Sequence, residues 1–330
     1  LTLSHYKVSN GNLYHYVSTG IYNDSTASTQ LMGTAPSYLS ANKKYYSYDG
    51  HYFYTSYGNM IEDYKAGVSK RAVNANQPFY NYYQFLSHRT KTTFTGADLN
   101  KRVNDVLNGK TSKMTNAGQY FIDNQNIYSA NASLMYGVAI NESAWGQSKI
   151  ANDKNNLFGH GAVDSNPYYG ANGYENPQTS IKYHAEKFIS NGYLDNEDWR
   201  YNGGHLGDKL SGINVRYASD PYWGEKAASF YRKFDKAMGM KDAKFDILIK
   251  DVDHAPVYQK ADKNSTILYR TPTVKNYSML VLDIIKNDQG TWYKIKSDAP
   301  INKEGNQVET ESSAYNVKKS VVFINADDLK

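Results

Sequence analysis

The sequence predicts a multidomain α+β protein, and three observations carry that reading. At 330 residues the chain is longer than one small core organises, so two or three units are expected. Its texture changes twice, from tyrosine-rich runs, to long segments of helical period, to short β-branched and aromatic runs divided by turn residues. Cysteine is absent, so packed cores rather than disulfides or Cys-zinc sites must hold each unit. The expected boundaries are a tyrosine-rich, β-containing N-terminal module over 1–88, a mainly helical domain over 89–242 and a small β-barrel over 243–330.

In the first module, "KKYYSYDGHYFYTSYG" sets Asp49-Gly50 between aromatic runs. Asp-Gly tolerates the positive φ of a two-residue turn, which pairs Tyr48 with His51 and Tyr46 with Phe53 in a hairpin. Such a face suits either cross-strand aromatic packing or sugar binding. In the second region a helix entered at Thr95 or Asp98 carries Leu99, Val103 and Leu107 at a spacing of four. A helix is expected within Ser129 to Ser148, capped by Ser129 or Asn131. Ile181, Ala185, Phe188 and Ile189 form the stripe of another, stopped at Asn191-Gly192. Ala227, Phe230, Tyr231 and Phe234 line the last one. In the third region "FDILIKDVDHAPVYQ", "TILYRT", "SMLVLDIIKNDQGTWYKIKS" and "SVVFINADDL" read as strands, with a long polar loop before the last.

Chemistry concentrates at "INESAWGQ". At about 100° per residue, Glu142 falls within about 20° of Met135 and about 40° of Val138, on the apolar side of its helix. A carboxylate so placed is desolvated, its pKa rises, and it becomes a candidate general acid. Spacing equally allows the helix to end by Asn141, leaving Glu142 solvated. Trp145 suits stacking on a sugar ring or core packing, and Gly146 lets the chain leave the helix.

Other classes are excluded or disfavoured. Without Cys there is no thiol nucleophile. A net charge of +5 spread along the chain lacks the focused patch of a nucleic-acid binder and suits an anionic cell envelope. No apolar run reaches membrane-spanning length, and Leu1 follows no initiator Met or signal pattern, as in a mature or trimmed soluble chain. Together with abundant Tyr, Asn, Ser and Lys, this composition suits an exported bacterial surface protein. His160, His184 and His205 lack an H-E-x-x-H arrangement, "GANGYENPQ" lacks a phosphate-loop pattern, and Ser143 lacks a nucleophile elbow. No metal or cofactor is expected.

The ordered motifs "LMYGVAINESAWGQSKIANDKNNLFGHGAVDSNP" and "RYASDPYWGEKAASFY" resemble glycoside hydrolase family 73, the bacterial peptidoglycan endo-β-N-acetylglucosaminidases, over roughly residues 85 to 240. The resemblance implies a lysozyme-like, mainly α catalytic domain with a small β lobe across a groove. It makes Glu142 the acid of the E-S-x-x-G motif, matches Asn156, Leu157, Phe158 and Gly159 to the family's turn, and brings Tyr217 of "YASD" into the groove. The second carboxylate is expected at Glu175, with Asp164 as the alternative, or is replaced by the substrate's own acetamido oxygen. Trp145, Asn156, Phe158, Tyr174, Tyr222 and Trp223 are expected to border the substrate. Residues 243–330 resemble a bacterial SH3-like domain of the kind that binds cell walls. The implied protein is a monomeric, secreted, wall-associated autolysin. It would act on glycan strands, with stem or cross-bridge peptides as partners of its last domain and no nucleic acid. A lytic transglycosylase on the same fold and a non-catalytic wall-binding or adhesion protein are the alternatives.

Overall fold

The computed structural model describes residues 3–20, 22, 26–311 and 315–330. Packing divides the chain once, into Leu1–Gln84 and Phe85–Lys330.

In the first unit β1 (His5–Ser9), β2 (Asn12–Ser18) and β3 (Thr26–Thr34) form an antiparallel sheet in that order. The β1–β2 turn is Asn10-Gly11, with φ of 48° and 75°, the two left-handed positions of a type I′ hairpin. The hairpin expected at Asp49-Gly50 takes another form. Tyr46 bridges Tyr54, not Phe53, because Asp49 accepts the His51 and Tyr52 amides at 2.8 and 3.1 Å and widens the turn by one residue. Tyr6, Leu13, Met32, Leu39, Tyr45 and Phe53 make the core.

The second unit begins with helices. Gly96–Leu107 starts at a capping box between Thr95 and Asp98, which satisfies two orphan amides at once. Gly118–Tyr128 leads to Ala132–Ser143, capped by Asn131 and buried at every position from Ala132 to Ile140. Only its last turn reaches the surface. Lys149–Lys154, Pro167–Gly170, Pro177–Tyr183, Asn214–Tyr217 and Trp223–Ala237 follow. Pro177–Tyr183 continues as a wide π-helical segment, His184–Tyr193, whose backbone breaks at Asn191 beside the expected stop.

The small β lobe expected in this region is not built from strands: none is described between β3 and Ile247. Between Asn155 and Asn176 side chains take the place of a ladder. Lys154 Nζ donates to the carbonyls of Tyr168 and Ala171, and Asn155 Nδ2 to those of Tyr174 and Glu175. Backbone groups already paired in this way have no need of a neighbouring strand.

From Ile247 the chain forms six antiparallel strands, β4 (Ile247–Asp253), β5 (Pro256–Tyr258), β6 (Ile267–Arg270), β7 (Thr273–Asn287), β8 (Gly290–Lys296) and β9 (Val321–Asn325). Their order is β4-β7-β8-β9-β5-β6, an open sheet rather than the closed barrel expected. It curls far enough for Leu329, beyond β9, to bridge Val252 of β4.

The boundary expected after residue 242 is not a break in packing. Arg89, buried in the helical part, donates from Nε and Nη2 to the Asp298 carbonyl at 2.9 and 2.6 Å and lies 3.9 Å from the Tyr315 ring. Asp298 accepts in turn from Tyr201 and Tyr277. A buried guanidinium needs such partners, so the sheet completes the helical core. No described helix is long and apolar enough to cross a membrane.

Candidate active site

Glu142 occupies the last turn of Ala132–Ser143, two residues beyond the fully buried stretch that ends at Ile140. The helix stops because Ser143 closes it. Its hydroxyl donates to the Ala139 carbonyl at 2.5 Å and accepts the Gly146 amide at 2.8 Å. Gly146, at φ 73°, passes so near Ser112 that a Cβ would lie 2.4 Å from its hydroxyl. This accounts physically for the E-S-x-x-G spacing: an acid on the final turn, a hydroxyl that caps, and a glycine where no side chain fits.

Three elements enclose the carboxylate. Trp223, at the start of Trp223–Ala237 and only 2% exposed, donates its indole N–H to Glu142 Oε1 at 2.5 Å. The Tyr217 ring stacks on Trp223 with centroids 4.6 Å apart. The Asn156–Gly159 turn forms the third side. Gly159 takes φ 68°, and a Cβ there would sit 3.1 Å from Glu142 Oε2. Tyr217 ties that turn down by donating to the Phe158 carbonyl at 2.7 Å.

Desolvation pushes the Glu142 carboxyl up to about 7, the indole hydrogen bond opposes the rise, and the negative charge of Asp220 adds to it. Asp220 itself holds Lys226 Nζ at 2.6 Å and accepts the Tyr222 amide. A half-buried acid that stays protonated near neutral pH beside a fixed donor can deliver a proton to an incoming oxygen.

The expected site residues separate into two groups. Glu142, Tyr217 and Trp223 come together, although Trp223 is the floor beneath the acid rather than a rim, and Tyr217 commits its hydroxyl to backbone. Several others have structural employment instead. Asn156 is buried, donating to the His160 and Asn172 carbonyls and accepting the Phe158 and His160 amides. Phe158 is wholly buried and stacks on His184 at 3.9 Å. Tyr174 bonds His160 Nδ1 at 2.7 Å. Trp145 packs edge-on against Phe230. Tyr222 is half-buried beside Asp220.

Glu175 and Asp164 are exposed, in the turn-rich stretch around Pro167–Gly170. The carboxylate whose field reaches Glu142 is Asp220, the last residue of the "YASD" motif, which carries no expected role in the sequence reading.

His160 and His184 face each other, Nε2 to Nδ1, at 3.0 Å. Burial holds His160 down to about 3 and His184 well below its ordinary value, so both are neutral supports beneath the turn. Among the described residues no group of three His, Asp or Glu side chains could hold a metal ion.

Residues 118–236 match the glucosaminidase family, described as mannosyl-glycoprotein endo-beta-N-acetylglucosaminidase. In sequence that segment is similar to glucosaminidase domains of the glycoside hydrolase class. The chain is 33% identical over 240 residues to a Streptococcus pneumoniae (serotype 4) protein provisionally named endo-beta-N-acetylglucosaminidase, covering 73% of this chain and 31% of that protein. It is 31% identical over 158 residues to a beta-N-acetylglucosaminidase of Bacillus subtilis (strain 168), covering 44% and 17%. The chain thus spans about a third or less of the length of these relatives. Among solved structures, a catalytic mutant of S. aureus autolysin E in complex with the disaccharide NAG-NAM is 24% identical, covering 49% of this chain and 75% of that one, with a TM-score of 0.39. Glu142, Asn156, Gly159, Tyr217, Asp220 and Trp223 all lie inside the matched segment.

Proposed function

We propose that this glucosaminidase-like domain hydrolyses the β-1,4 bond between N-acetylglucosamine and N-acetylmuramic acid in peptidoglycan, with Glu142 as general acid. The observation that carries the reading is the Glu142 carboxyl, held half-buried against the Trp223 indole with its pKa near 7.

Protonated Glu142 gives its proton to the glycosidic oxygen as the bond to the anomeric carbon breaks. Among the described residues, Asp220 is the carboxylate whose charge acts on Glu142, and it is engaged with Lys226. We therefore favour the substrate's acetamido oxygen as the group that bonds the anomeric carbon. Water then opens that intermediate, and the Glu142 carboxylate takes back a proton. Glu175, exposed on its loop, serves less well as nucleophile or base. Tyr217 and Trp223 fix the acid and the turn opposite it. Extracellular action at the cell wall, and wall binding by an SH3-like 243–330 region, belong to the same proposal.

Glu142→Gln is expected to lower release of fragments from purified peptidoglycan by at least about a hundredfold, the usual worth of a general acid. Retained activity would exclude this role. Reducing N-acetylglucosamine ends support the hydrolase, 1,6-anhydromuramic ends support a lytic transglycosylase, and wall binding without loss of turbidity supports an adhesion protein.

A further inference from the structure

Trp199 is 72% exposed, whereas Trp223 and Trp292 are almost wholly buried. An indole left open to water is unusual for so large an apolar surface. Arg216 lies over its ring, with the guanidinium carbon 5.3 Å from the centroid, so one face carries a cation and the ring remains mostly accessible. Arg216 is itself exposed, and no carboxylate of the described residues is within ion-pair distance of it. Asp198, beside Trp199 in the chain, grips Arg200 at 2.8 and 2.9 Å, and Asp220 holds Lys226.

The pair adjoins the Glu142 centre. Arg216 and Tyr217 are consecutive on Asn214–Tyr217, and the Tyr217 ring rests on Trp223. On the other side, Arg200 lies 5.0 Å from the Tyr193 ring, which is 5.6 Å from Tyr217.

We propose that Trp199 and Arg216 form a saccharide subsite beside the acid. The indole covers the apolar face of a pyranose, and the guanidinium pairs with a carboxylate on that sugar's substituent. An exposed guanidinium already braced by a ring meets a carboxylate with little further loss of side-chain freedom. The subsite rests on the saccharide-cleaving reading above, but binding can be measured without turnover.

The full chain carrying Glu142→Gln is titrated with a muramyl-peptide saccharide, with the same ligand amidated at its carboxylates, and with a peptide-free chitooligosaccharide. Adding Trp199→Ala is expected to weaken all three about fivefold to fiftyfold, the range of a lost stacking contact. Trp199→Phe should restore part of the affinity, and circular dichroism checks the fold. Adding Arg216→Gln is expected to weaken the acidic ligand about tenfold and the other two less than about twofold. Affinities within twofold of the parent in the Trp199→Ala protein, or no binding of any saccharide by the parent, overturn the subsite. Wild-type protein that binds these saccharides but releases no new reducing ends overturns the hydrolase reading alone.

Discussion

The indole N–H of Trp223 points at Glu142 Oε1 from 2.5 Å, joining the first residue of one helix to the last turn of another. This bond favours the charged carboxylate and works against the desolvation that dominates the site. Trp223→Phe keeps an aromatic ring for Tyr217 to stack on and removes the donor. The Glu142 pKa should then rise by about one to two units, the worth of a hydrogen bond to a charged group. The alkaline limb of the activity profile should move to higher pH by that amount while kcat falls. An unmoved limb would separate the indole from the titration.

Asp220→Asn tests the opposite sign. The Asp220 charge raises the Glu142 pKa, so neutralising it should move the alkaline limb to lower pH. Lys226 and the Tyr222 amide lose part of their partner, so thermal unfolding is measured alongside. A limb that stays in place in a folded variant would remove Asp220 from the electrostatics of the site.

The pH dependence of wild-type activity follows from the protonated form being the competent one. With the carboxyl near 7, activity should be full below that pH and fall about tenfold per unit above it. Stability follows the same group. A pKa raised in the folded state means a contribution fully present below the unfolded value of 4.5 and lost as pH rises through about 7. Glu142→Gln escapes that loss. Relative to pH 4, it should gain about 1–3 kcal/mol over wild type at pH 8, reduced toward the lower end by the partial exposure of Glu142. Denaturant unfolding of both proteins at the two pH values measures the difference.

Gly159→Ala places a Cβ beside Glu142 Oε2 at a left-handed backbone position. The strain is about 1–2 kcal/mol, and either the turn or the acid must shift. Activity should fall about tenfold or more with a modest loss of stability. Unchanged kcat would show that the turn does not define the geometry around the acid.

Deleting 243–330 should leave no cooperatively folded helical part, because Arg89 would lose the Asp298 carbonyl and the Tyr315 ring, and Phe85 the Ser278 hydroxyl that donates to its carbonyl at 2.5 Å. Far-UV circular dichroism through a thermal ramp reads this directly. A sharp transition in the truncated chain would restore the boundary at 242.

Much of this protein is written locally. The capping box at Thr95 and Asp98, the Asn131 cap and the apolar run to Ile140 depend on neighbours in sequence, and the helices formed there. The strands after residue 246 did so for the same reason. The Asn10-Gly11 turn was equally local and carried a strong hairpin signal that the aromatic run around Asp49-Gly50 overshadowed. Glu142 was legible as a charge on an apolar stripe, and its motif companions made it the candidate acid.

What surrounds Glu142 was decided by tertiary structure. Trp223 lies 81 residues further along the chain, and no spacing rule reveals that its N–H, rather than its ring face, meets the carboxylate. Asp220 acts through space and not through the loop where a second acid was sought. Asn156 and Phe158 resemble binding residues in sequence, but burial made them braces, since their polar groups and ring were already satisfied inside the fold. Sequence alone determined which residue is the acid candidate and which segments are helix or strand, because those depend on local period and capping. Only the tertiary structure decided which charges, donors and rings act on that acid, because desolvation and electrostatics depend on distance in space.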